Sequence, residues 1–252
     1  MGKTIAVANQ KGGVGKTTTS VNLCAALKDL GQKVLLCDMD PQGNATSGIG
    51  INKNKDAPNM YSVLIEGADA SEVIVTTKFC DVLPSNKILS GAGVELVSMQ
   101  EREYVLKNVL AEVRDNYDYI IIDCPPSLEM LTLNSLCAAD TILIPVQCEY
   151  YALEGLSDLI STIRTIKKSL NPELDIEGVL LTMYDSRTNF SAQVASEIKK
   201  FFKQKTYNVS IPRNVRIAEA PSHGAPVMSY DRYSRGSLAY IDFAKEFLKR
   251  NV

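Results

Sequence analysis

Along the 252-residue chain, short apolar runs alternate with longer stretches in which apolar positions recur every three or four residues. An unbroken run such as Tyr119-Ile120-Ile121-Ile122 reads as a strand covered on both faces, which is how a parallel sheet between helices is written. Strands are expected at Ile5–Ala8, Val34–Cys37, Val82–Leu83, Tyr119–Ile122, Ile142–Pro145 and Ile176–Leu181, with a short one near Val209–Ile211. Helices are expected over Thr17–Leu30, Glu101–Val113, Leu153–Ser169, Phe190–Lys203 and Ser237–Lys249. Gly31 is placed to cap the first of them. The alternation predicts an α/β fold, a doubly wound and mostly parallel sheet with helices on both faces. Ligands of such folds gather at the carboxyl ends of the strands.

Composition narrows the class. A chain with 45% hydrophobic residues and no Pro/Ser/Gly-rich linker is expected to form one domain over residues 1–252. The six cysteines (Cys24, Cys37, Cys80, Cys124, Cys137 and Cys148) form no C-x-x-C pair and lie mostly in apolar runs, so buried free thiols are expected. His223 is the only histidine and has no companion for metal or triad chemistry. Met1-Gly2-Lys3-Thr4 leads straight into the first strand without a leader, and no apolar stretch approaches the ~20 residues of a membrane span. A soluble cytoplasmic protein is expected. Net charge is −2, but residues 186–217 hold seven cations against Glu197 alone, so that window carries +6 and the remainder −8. A chain polarised in this way can hold a polyanion on one face.

The chemistry begins after the first strand, at Gln10-Lys11-Gly12-Gly13-Val14-Gly15-Lys16-Thr17-Thr18. A strand, a glycine turn and Lys-Thr opening a helix make a phosphate cradle: backbone N–H groups point inward, and the helix adds its positive end. Lys16 then belongs on the β- and γ-phosphates and the Thr17 hydroxyl on Mg²⁺. The strict P-loop pattern asks for glycine where this chain has Gln10, and an additional cation, Lys11, stands at the loop entrance. Lys11 is either solvated or reaches across a dimer interface to a partner's phosphates, as an arginine finger does. Gly12 leaves room for such an approach. After the second strand, Asp38-Met39-Asp40-Pro41-Gln42-Gly43-Asn44 turns at Pro41 and Gly43. There Asp40 could orient an attacking water and Asp38 could help hold Mg²⁺; an ordinary acidic turn is the plain alternative. Asp123, ending an apolar strand before Cys124-Pro125-Pro126, is the other expected Mg²⁺ ligand of a P-loop NTPase.

Lys11 to Thr18 resembles the deviant P-loop of the ParA/MinD group of dimerising ATPases. Three further stretches are similar to its ParA/Soj chromosome-partitioning branch: Asp38 to Asn44, Asp123 to Ser127 and Pro145 to Gly155. Ile211 to Arg216 and Glu219 to Ser222 match that branch as well. The resemblance implies a cytoplasmic, nucleoid-associated homodimer switched by ATP and Mg²⁺. It implies non-specific binding of double-stranded DNA and slow hydrolysis stimulated by a ParB/Spo0J-type centromere-binding partner. By the same resemblance Lys11, Gly12, Gly13, Val14, Gly15, Lys16, Thr17 and Thr18 hold the nucleotide, Pro212 and Asn214 lie near adenine, and Asp40 serves the hydrolytic water. Arg187 and Arg216 would face DNA, with Lys199, Lys200 and Lys203 as further candidates or as a merely solvated helix flank. The alternative is a MinD-like membrane-associated ATPase in division-site placement. It needs a free amphipathic C-terminal helix, whereas Asp242 and Glu246 dilute the charge of this one and packing on the sheet explains its apolar positions. Stable membrane association is therefore not expected. An iron–sulfur carrier on the same fold would require a cysteine pattern that is missing.

Overall fold

The computed structural model describes residues 2–53, 57–149 and 152–251, the side chains of 152–154 excepted. In chain order the elements are β1 (Lys3–Val7), α1 (Lys16–Asp29), β2 (Val34–Asp38), α2 (Asn44–Gly48), α3 (Met60–Leu64), α4 (Ala70–Val73) and β3 (Val75–Thr76). There follow β4 (Asp81–Leu83), α5 (Leu89–Glu95), α6 (Val105–Val113), β5 (Tyr119–Asp123), α7 (Met130–Ala138), β6 (Thr141–Gln147) and α8 (Ala152–Ser169). The chain ends with β7 (Asp175–Tyr184), α9 (Asn189–Phe202), β8 (Thr206–Pro212), α10 (Val215–Glu219), α11 (Val227–Tyr230) and α12 (Arg235–Arg250). The eight strands form one sheet in the order β3-β4-β2-β5-β1-β6-β7-β8, parallel throughout except for the β3–β4 pair. This is the doubly wound architecture expected, with β1 at its centre.

Alternation along the strands explains the two helical layers. Ile5, Val7 and Ile121 belong to the core packed by α1 and α12, while Ala6, Ile120 and Ile122 belong to the core under α3 to α9. All five residues of β2 and of β5 are buried, as the unbroken apolar runs required. Gly31 closes α1 at φ +87°, its N–H donating to Lys28 O while Gln32 N–H reaches Leu27 O, both at 3.0 Å. The last helix packs inward: Tyr240, Phe243, Ala244 and Phe247 are buried, and Phe243 meets Tyr207 edge to face at 4.8 Å between centroids. Its apolar face is occupied by the sheet. Glu246 on its outer side accepts the backbone N–H groups of Asn208 and Val209, and Arg250 donates to the carbonyls of Gln204 and Thr206.

At the amino edge of the sheet, buried Glu177 accepts from Lys3 Nζ at 2.6 Å, Asn251 Nδ2 at 2.7 Å and Thr141 Oγ1 at 2.8 Å. Burial alone would raise the Glu177 carboxyl, but these donors outweigh it and hold it below its ordinary value. All six cysteines are free and buried, as expected. No helix among the described residues is long and apolar enough to cross a membrane. One expected helix is shorter than its pattern. Residues 101–104 form a turn with Glu101 at φ +49°, and α6 starts only at Val105.

Candidate functional site

The carboxyl ends of β1, β2, β5 and β7 converge on one cavity of about 620 Å³. Gly12, Gly13, Gly15, Lys16, Thr17 and Thr18 line its floor, Asp40 and Gln42 one wall, and Pro212, Asn214 and Met183 the other. The loop from Asn9 to Gly15 needs its glycines, since Gly13 and Gly15 sit at φ +73° and +90°, where a side chain would be strained. Val14 is buried beneath the loop. Asn9 fixes the start of the turn: its amide donates to Pro145 O at 2.8 Å and its oxygen accepts Lys11 N–H at 3.0 Å.

The two lysines separate. Lys16 is 7% exposed and folds back so that Nζ donates to Lys11 O at 3.1 Å. Burial pulls its pKa below the ordinary value, against the attraction of Asp123, Cys124 and Asp40. Lys11 stands at the rim, its side chain 37% exposed and paired with Glu149 Oε2 at 3.0 Å. Glu149 also takes a hydrogen bond from the Gln147 amide. Tyr150 and Tyr151, part of the 145–155 resemblance, lie outside the described residues.

Asp38 and Asp123 end neighbouring parallel strands in direct register and are both fully buried. Asp38 accepts the Thr46 N–H at 2.8 Å, the Thr46 hydroxyl at 2.7 Å and the Asp40 N–H at 3.2 Å. Asp123 Oδ1 accepts the Ser20 hydroxyl at 2.9 Å, while Oδ2 has no partner. Burial first pushes both carboxyls upward, with the charge of Asp40 adding to it at Asp38 and the charges of Asp38 and Asp40 adding to it at Asp123. An orphaned, fully buried carboxylate oxygen beside the Thr17 and Ser20 hydroxyls suits a hard divalent cation that keeps most of its water and leans on substrate phosphates. Among the described residues no group of three His, Cys, Asp or Glu side chains forms a closed metal cage. Asp40 faces the cavity from the turn, its Oδ1 accepting Gln42 N–H at 2.9 Å. Its backbone carbonyl takes the Ser85 hydroxyl at 2.8 Å.

Residues 2–176 match a family described as an AAA domain. The sporulation initiation inhibitor protein Soj of Bacillus subtilis strain 168 is 58% identical over 248 residues, covering 98% of each chain. The chain belongs to the ParA/Soj family of ATPases. The chromosome partitioning protein ParA of Myxococcus xanthus is 49% identical over 254 residues, covering 100% of this chain and 90% of its own. A crystal structure described as cobyrinic acid a,c-diamide synthase from Mycobacterium smegmatis with bound ATP analog and magnesium has a TM-score of 0.87. It is 38% identical, with 99% of this chain and 95% of that one covered. The P-loop fold and the ATPase class expected from the sequence are borne out.

In this ParA/Soj-family chain Pro212 and Asn214 stand side by side on the cavity wall. Asn214 caps α10 by accepting Arg216 N–H at 2.9 Å through its side-chain oxygen, which leaves its NH₂ group to donate. The expected basic surface is more neutral than the window suggested. Asp185, just before residue 186, forks onto Arg187 at 2.9 and 2.7 Å and is held down to about 2 by that bond. Glu219 and Asp231, beyond residue 217, hold Arg216 at 2.9 and 3.3 Å. Lys200 pairs with Glu197 at 2.6 Å. Lys199 and Lys203 are exposed on α9 and at its end. The window also stopped short of α8, a neighbour of α9, which carries exposed Arg164, Lys167 and Lys168. Sequence reading further missed Gln42, Pro126, Thr182, Met183 and Arg213 on the cavity wall. Of these Gln42 and Pro126 stood inside the quoted motifs and Arg213 inside the basic window, while Thr182 and Met183 carried no signal.

Proposed function

We propose that the chain is a single P-loop ATPase domain acting as an ATP-dependent dimerising switch. In this reading it binds DNA without sequence preference, hydrolyses ATP slowly, and works in chromosome or plasmid partitioning with a ParB-type partner. The observation that carries the reading is the split between the loop's two lysines. Lys16 is buried where it can only serve the chain's own nucleotide, and Lys11 is displayed at the rim where it can serve a second copy. The Soj and ParA relatives, at 58% and 49% identity over nearly the whole chain, support the same role.

On binding, the β- and γ-phosphates replace Lys11 O as the partner of Lys16 Nζ, with the N–H groups of Gly13, Val14 and Gly15 around them. Thr17 would hold Mg²⁺ directly, with Asp38 and Asp123 acting on its water shell. When bound, that ion neutralises charge developing on the transferred phosphoryl group. Asp40 orients the attacking water from the opposite wall, and Pro212 and Asn214 flank the adenine. Lys11 leaves Glu149 for the partner's phosphates, a trans contribution of the kind worth about 10³–10⁵ in rate. Arg187, Arg216, Lys199, Lys200 and Lys203 contact DNA phosphates, which gives affinity without sequence preference. The protein is accordingly cytoplasmic and nucleoid-associated. The MinD-like reading finds less support, because the C-terminal helix turns its aromatic face into the core.

Sedimentation velocity and DNA retention over a salt series, with no nucleotide, ADP or ATP, test the proposal. Asp40→Ala is included to block turnover. Dimers and salt-sensitive DNA binding are expected with ATP, and to persist in Asp40→Ala. An assembly state indifferent to nucleotide would overturn the switch, and normal hydrolysis by Asp40→Ala would remove Asp40 from its role.

A further inference from the structure

The phosphate loop is also gripped from the side, by a strand distant in sequence. Thr182 Oγ1 donates to Val14 O at 2.8 Å, 168 positions away along the chain. Val179 and Leu181 pack into the core under α3 to α9 and Leu180 into the α1 core, so alternation turns Thr182 toward α1 and the loop. It occupies a core position and is 2% exposed. A buried hydroxyl following an apolar run costs free energy unless bonded, and its partner is the loop carbonyl. Beyond it the register with β8 shifts between Leu181 and Tyr184, and Met183 sits at φ +48°.

The consequence follows from the planarity of the peptide unit. In a trans peptide the C=O and the next N–H point in opposite directions, so holding Val14 O outward aims Gly15 N–H inward. Without a hold that unit turns easily, because Gly15 at φ +90° has no side chain to resist rotation. Gly15 faces Thr182 on one side, where an added Cβ would lie 3.7 Å from the threonine methyl, and lines the cavity on the other.

We propose that Thr182 is a positioning residue for nucleotide binding: its hydroxyl fixes the Val14–Gly15 peptide so that Gly15 N–H faces the phosphates. The inference rests on the reading of residues 11–18 as the phosphate cradle. It is tested with Thr182→Val, which keeps the shape and removes the donor, and Thr182→Ser, which keeps the donor and removes the methyl. Calorimetric titration with Mg-ADP is expected to show about tenfold weaker binding for Thr182→Val, the scale of one net hydrogen bond. Thr182→Ser should bind within about threefold of the unmodified protein, since the donor is retained. Thr182→Ala is read in the same way if the valine variant does not fold. Unchanged affinity in the donor-less variant, or an equal loss in the serine variant, overturns the proposal. Failure of the unmodified protein to bind ADP would instead sink the phosphate-cradle reading beneath it.

Discussion

At the scale of single residues, the ion pair between Lys11 and Glu149 sets the terms on which the rim lysine can leave. Both partners are substantially exposed, so the pair is worth no more than about 1 kcal/mol and exchanges readily for a phosphate. Glu149→Gln is expected to tighten ATP-dependent self-association by a few-fold and to leave ADP affinity unchanged. Sedimentation equilibrium with Asp40→Ala in the background would show it. Weaker association would mean that Glu149 itself contributes to the contact between copies. Lys16, Asp38 and Asp123 were legible in the sequence because each ends or follows a strand that its own neighbours define. Thr182 and Met183 were not legible. Their meaning depends on the register of β7 against β6 and on a turn 168 positions away, and nothing local in the chain records either.

Among the secondary-structure elements, the long ones were legible and the short ones were not. Strands buried on both faces announce themselves by unbroken hydrophobicity, α8, α9 and α12 by length and period, and α1 by its length and the glycine loop before it. The nine-residue α7, Met130–Ala138, has seven buried residues and shows no amphipathic rhythm, so pattern alone cannot separate it from a strand or a loop. The five-residue α2 is held by tertiary bonds instead, with Thr46 bonded to Asp38 and to Ser85 N–H. Glu177 ties β7 to β1, β6 and the end of α12, a contact only the folded order of strands could reveal. Glu177→Ala is expected to lower stability by about 2 kcal/mol, less than a fully buried pair because Lys3 keeps access to water. The Glu177 pKa is lower in the folded state, so its contribution is present above the ordinary glutamate range and disappears as pH falls through the folded value. Urea unfolding at neutral and at acid pH would check both statements. A loss of equal size at low pH would assign the effect to packing alone.

For the whole molecule, the question is where the charge resides. A linear window made residues 186–217 look strongly basic. Asp185 and Glu219, just outside it, pair with its arginines, folding brings Asp231 to Arg216, and the neighbouring α8 carries exposed Arg164, Lys167 and Lys168. Replacing both Arg187 and Arg216 with Ala is expected to weaken DNA binding. The slope of log affinity against log salt should fall by about 0.9 for each phosphate no longer neutralised. Fluorescence anisotropy across a salt series would measure it. A larger fall from Lys167→Ala with Lys168→Ala would move the DNA-facing surface onto α8. The sheet's outer strand has a consequence of another kind. Glu246 and Arg250 occupy two backbone donors of β8, at Asn208 and Val209, and its Thr206 carbonyl, while β3 at the far side is only two residues long. An edge covered at its first half leaves a stray extended polypeptide a shorter template to grow upon, which lowers the tendency of crowded copies to stack through that rim.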